Sequence, residues 1–91
     1  LQANTHFSTI TVEGWKTDRG RILLTYGAPD FIERETESTD KKAFEIWHYN
    51  NLEGGSIFVF VDLKSSDLFE LVHSTYRKEL SRPNWESYLD Q

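Results

Sequence analysis

Cysteine and methionine are absent from this 91-residue chain, and proline occurs only twice. No apolar run approaches the roughly 18 residues of a membrane-spanning helix. Without cysteine there is neither a disulfide nor a thiolate metal site, and the fold must stand on packing alone. That absence suits the cell envelope and the cytoplasm equally. A chain without methionine that begins at Leu1 is expected to be a fragment or processed product of a longer protein, whose own signal peptide would not be visible here. Positive charge is also in short supply. Ten basic residues face fifteen acidic ones for a net charge of −5, which argues against a nucleic-acid partner. Aromatic rings are what the chain has instead, at 14% of residues, with Trp15, Trp47 and Trp85 spread along it. One small domain is expected, with large rings supplying much of its burial.

The segment from Gly14 to Asp30 reads as a helix with its start and stop signals. Thr17 and Asp18 are both good N-cap types, and Asp18 also places a negative charge at the positive end of the helix dipole. Ile22, Leu23 and Tyr26 recur at helical spacing and form one apolar stripe. Gly27 can take the left-handed conformation that ends a helix, and Pro29 prevents its continuation. Gly20 costs about 1 kcal/mol inside a helix, which predicts a close approach by a neighbouring strand or ring. Capping does not account for Trp15, for which close packing is the expectation.

Before the helix, Phe7, Ile10 and Val12 suggest an extended segment. After it, Phe31 to Glu35 opens a first strand that fades into an exposed polar loop, Thr36 to Lys42. Ala43 to Tyr49 and Ser56 to Asp62 are strong strands, joined by the turn-rich Asn50 to Gly55 into an antiparallel hairpin. A second turn, Lys64 to Asp67, leads to a further strand, Leu68 to Thr75. The fold class is therefore α+β: an antiparallel β-meander of three to four strands packed by one main helix. A short C-terminal helix is expected after Asn84, with Trp85, Tyr88 and Leu89 on one side. In Ile57 to Val61 both faces are apolar, as in a central strand covered on each side. One helix covers one face. The other must be covered by the terminal segments, by another domain or by a second copy.

Candidate chemistry is sparse. His6, His48 and His73 show no zinc-ligand spacing, and His48 and His73 read as half-exposed strand residues. A meander could bring His48, Asp62 and His73 together as an acid–base group, the basis of an enzyme reading. Asp18, Asp30 and Asp62 each have a structural explanation at a cap, a turn and a strand end. No catalytic residue, cofactor site or metal site is assigned, and no cofactor is expected. Trp15, Trp47, Tyr49, Phe58, Phe60 and Trp85 suit a core better than a sugar-stacking platform.

The blocks Gly14-Trp15-Lys16-Thr17-Asp18, Arg19-Gly20-Arg21 and Tyr26-Gly27-Ala28-Pro29-Asp30 resemble the GWxTD domain family, named for the first of them. The resemblance continues through Phe44 to Tyr49, Phe58 to Asp62, Phe69 to Ser74 and Pro83-Asn84-Trp85. It spans residues 7 to 89 and departs at the loop from Arg34 to Lys42. It implies a bacterial domain of larger and often exported proteins, whose biochemical role is not established and which brings no catalytic residues. Gly14, Trp15, Thr17, Asp18, Gly20, Gly27, Pro29, Trp47, Asp62 and Trp85 are the signature and structural residues on this reading. A helix ending in Gly-x-Pro followed by a Trp-x-Tyr strand is also similar to the small lipoprotein subunit of the outer-membrane barrel-assembly machine. The resulting expectation is one GWxTD-like domain over residues 1–91, non-catalytic and located in the periplasm or cell envelope. Its partner would be another domain of the parent, a separate protein or a second copy. Carbohydrate binding through exposed aromatics is the alternative, and an enzyme the third.

Overall fold

The computed structural model describes residues 16–91. Gly14, Trp15, His6 and the extended segment expected around Phe7, Ile10 and Val12 lie outside the described residues.

The helix, α1, runs from Asp18 to Tyr26. Thr17 is its cap: the Oγ1 atom accepts from the Gly20 amide at 2.9 Å, satisfying one of the unpaired N–H groups of the first turn. Asp18 takes a different task. Its carboxylate accepts from the Leu71 backbone N–H at 2.8 Å, which ties the start of the helix to the sheet. Gly20 is buried, as are Ile22 and Leu23. The helix ends where Gly27 turns to φ +85°, and the Gly27 amide donates to Leu23 O at 2.8 Å. The Tyr49 hydroxyl donates to Gly27 O at 2.7 Å and so fixes the end of the helix to a strand. Pro29, partly buried, follows at the expected stop.

Four strands form one antiparallel meander in sequence order: β1 (Phe31–Glu35), β2 (Phe44–Tyr49), β3 (Ser56–Val61) and β4 (Glu70–Ser74). Strands β2, β3 and β4 are shorter than hydrophobicity alone suggests. Ala43, Asp62, Leu68, Phe69 and Thr75 lie outside the ladder. Asp62 leaves β3 to fold the next loop, where its two carboxylate oxygens accept from the Ser66 and Asp67 amides at 2.9 and 3.1 Å. That loop holds Ser65 and Asp67 at positive φ, and the buried Asp62 anchors it.

Register assigns the two faces. Trp47 pairs with Phe58, and Glu45 with Phe60, while Ile46 pairs with Val59 and Phe44 with Val61. One face therefore gathers Trp47, Tyr49, Phe58 and Phe60 against Ile22 and Leu23 of α1. The opposite face gathers Val59, Val61 and Val72. Between Val59 and Phe60 the β3–β4 register shifts, so that Val72 is an extra residue in β4. The bulge turns Val72 toward the second face, where it is 1% exposed.

The cover of that second face is the chain's own C-terminus. Trp85–Leu89 form a 3-10 helix that packs Trp85, Tyr88 and Leu89 onto the valines. Asn84 precedes it without a side-chain capping bond, contrary to its expected role. The polar loop after β1 is exposed, as expected, but it is also a clasp. Lys41 bridges to Asp90, the Lys42 amide donates to Leu89 O at 2.7 Å, and the Gln91 amide donates to Asp40 O at 3.1 Å.

Candidate functional site

On the helix-side face, alternation in β2 places Glu45 in step with Trp47 and Tyr49, and all three are buried. A charge there must be compensated. Arg19 of α1 approaches Glu45 Oε2 at 3.2 Å, Arg34 of β1 donates from Nε to the same oxygen at 3.1 Å, and Trp47 Nε1 donates to Oε1 at 3.0 Å. The Arg19 guanidinium also lies over the Phe69 ring, 4.4 Å from its centroid. Both carboxylate oxygens are thus engaged, and Glu45 acts as a joint between helix, edge strand and core. Hydrophobicity gave this residue no prominence. Its parity with Trp47 and Tyr49 was the available signal.

A second polar joint lies at the other end of α1. The Tyr26 hydroxyl donates to Glu79 at 2.5 Å, and Arg21 pairs with the same carboxylate through two nitrogens at 2.9 and 3.2 Å. The bond from Arg21 holds the Glu79 carboxyl below its ordinary range. Burial, together with the bond to Glu79, pushes the Tyr26 hydroxyl up to about 12.

The proposed acid–base group does not assemble. His48 lies opposite Ile57, and His73 opposite Val59, so strand β3 runs between them. Asp62 is in step with Phe58 and Phe60 on the helix side, and both its oxygens are used by the loop. His48, partly exposed as expected, pairs through Nε2 with Glu33 at 3.0 Å. His73 is buried rather than half-exposed, and its Nδ1 accepts from the Arg82 amide at 2.8 Å. Burial lowers its pKa, and the bond requires an unprotonated Nδ1. Among the described residues, no group of three or more His, Asp or Glu side chains is placed to hold a metal ion.

Two clefts of about 270 Å³ open on the surface. The first, between the end of α1 and the β2–β3 turn, is lined by Tyr26, Asp30, Tyr49 and Leu52. Its hydroxyls are committed to Glu79 and Gly27, and Asp30 accepts from the Asn50 amide at 2.7 Å. The second is lined in part by Arg34, Phe44, Glu45, Asp62 and Phe69, with the Glu45 and Asp62 carboxylates both committed. Glu35, Glu37 and Asp67 also line the second cleft, which is therefore acidic.

The aromatics named from sequence are mainly core. Trp47, Phe58 and Phe60 are fully buried, Tyr49 is nearly so, and Trp85 is partly buried with its ring 6.0 Å from that of Phe44. Among the described residues the exposed ring is Phe31, which in the sequence reads only as the opening of a strand. It is 57% exposed, and its centroid lies 5.4 Å from that of His48. Glu33 bonds His48 in turn, so the phenyl ring rests against a hydrogen-bonded neighbour on β2. Among the described residues, no helix is long and apolar enough to cross a membrane.

The family model for the GWxTD domain matches residues 1–91. No curated protein and no solved structure matches the chain, so the likeness to the barrel-assembly lipoprotein gains no structural counterpart.

Proposed function

The chain belongs to the GWxTD domain family, and from that premise we propose that it is a non-catalytic interaction module of a larger exported bacterial protein. It binds a protein partner, or another domain of its parent, at the end of the sheet carrying Phe31. The observation that supports this is the exposed phenyl ring on β1, backed by His48 and Glu33. An aromatic ring held in place loses little side-chain freedom on docking, which is why such rings serve as anchors.

The doubly apolar central strand no longer argues for a partner. Val59 and Val61 are 0% exposed beneath the chain's own Trp85–Leu89 segment. Carbohydrate binding is also weakened, because stacking on a sugar needs neighbouring exposed rings, and of the rings expected to supply them Trp47, Tyr49, Phe58 and Phe60 are buried, Trp85 is partly buried and Trp15 lies outside the described residues.

Photo-cross-linking in the bacterial host tests the reading. With p-benzoylphenylalanine at position 31 of the full-length parent, a discrete adduct is expected. The same probe at exposed Leu24, on the helix, should give none. Equal labelling from both positions, or none from 31, would refute the assignment. Fractionation of the same cells checks the compartment: the parent should be recovered with the periplasm or envelope, and recovery in the cytoplasm removes the exported part.

A further inference from the structure

The two edges of the sheet are finished differently. Strand β4 carries the bulge at Val72, and at its last residue the Ser74 amide donates to Leu80 O at 2.7 Å, so following chain occupies that side. Bulges and covering segments are standard protections of an edge. Among the described residues, strand β1 has neither. Its five residues hold an unbroken register with β2, include no proline, and among the described residues pair with β2 alone. Four of the five are exposed. Such an edge presents a row of backbone donors and acceptors to an incoming strand.

The side chains along this edge state which strand it accepts. From position 30 to 37 the acids are Asp30, Glu33, Glu35 and Glu37, against the single cation Arg34. Arg34 is bonded to Glu45 through Nε and projects to the helix-side face, away from Glu33 and Glu35. Glu33 and Glu35 therefore share the second face with Phe31 as an acidic row beside an aromatic anchor. A second copy is a poor occupant, because two β1 strands laid together would set like charges opposite one another.

Resting on the interaction-module reading above, we infer that β1 receives an extended, basic strand from a different protein. That strand alternates lysine or arginine with apolar residues, and it adds to the sheet as a fifth strand. Main-chain bonds supply the pairing, Ile32 meets the apolar positions on the helix-side face, and on the second face Glu33 and Glu35 select the basic ones while the Phe31 ring lies against the aliphatic stem of one of them.

Amide-resolved NMR titration of the chain with a synthetic peptide of alternating lysine and valine tests this. Shifts should concentrate at Phe31–Glu35, and the double variant Glu33→Lys/Glu35→Lys should bind about tenfold more weakly. A glutamate–valine peptide should leave those amides unmoved, and N-methylation of alternate amides in the basic peptide should abolish binding. Equal binding of the acidic peptide, or of the methylated basic one, would overturn the inference. So would self-association of the chain through β1 in sedimentation. A cross-link at position 31 without peptide binding leaves the interaction module standing and removes the strand addition; failure of both removes both.

Discussion

Glu45 shows how one residue can be costly and necessary at once. Its side chain is only 7% exposed, and Arg19 beside it 12%, so neither charge is well hydrated. Removing one member of a buried pair leaves the other uncompensated, which costs about 3–5 kcal/mol. Glu45→Ala should therefore lower stability in urea by about 3 kcal/mol. Arg34→Ala removes a partner whose side chain is 61% exposed, and its cost should stay below about 1 kcal/mol. Equal losses from the two variants would mean that Glu45 is not the centre of the cluster. His73 provides a second test at this scale. Burial sets its folded pKa below the ordinary 6.5. The unfolded chain then takes up a proton first as pH falls through that value, and the native state loses ground until the folded pKa is reached. The imidazole contribution is complete above about pH 6.5. In His73→Asn an amide oxygen can stand in the Nδ1 position toward the Arg82 amide, and this variant should lack that part of the pH slope in urea titrations between pH 7.5 and 5. An unchanged slope would show that His73 titrates normally.

At the scale of elements, the stop of α1 carries a sharp prediction. Gly27 has φ +85° and ψ −172°, a region open essentially to glycine alone. A Cβ added there meets nothing within 4 Å, so any penalty of Gly27→Ala comes from the backbone and not from a clash. The expected cost is about 1–3 kcal/mol, with little change in the near-ultraviolet spectrum of the core. A neutral substitution would mean that the helix end relaxes to another conformation. This stop was legible in the sequence because glycine and proline report directly on backbone geometry. The alternating aromatics made β2 and β3 legible for the same reason, that a strand's period is local. Other features depend on chain far away. Asp18 is a good cap type by its own chemistry, yet it bonds to Leu71, 53 positions along. The bulge at Val72 leaves no local trace, because it reconciles Leu71 and His73 with a partner strand. Phe31 was hidden by a related limit: composition marks it as apolar, and only the sheet edge leaves it exposed.

For the whole molecule, the sequence posed a question that tertiary structure answers. A central strand apolar on both faces needs two covers, and composition could not choose among the chain's ends, a neighbouring domain and a second copy. The cover of the valine face is Trp85–Leu89, held down by the loop after β1 through Lys42, Asp40 and Lys41. The polar loop that departs most from the family resemblance is thus what secures the tail to the sheet. Deleting residues 83–91 should uncover Val59, Val61 and Val72 at once and make the chain associate or bind a hydrophobic dye. Leu89→Ala isolates one contact of that cover. At 6% exposure its truncation should cost about 2–4 kcal/mol, while the chain stays monomeric in sedimentation. The Leu89 variant also tests where the docking surface lies. Phe31 pairs with His48, at the end of β1 opposite to Glu35 and the Phe44 ring that meets Trp85, so Leu89→Ala should leave cross-linking at position 31 intact wherever the chain is still folded. Loss of the cross-link in a folded Leu89→Ala variant would move the docking surface from the β1 edge to the tail itself.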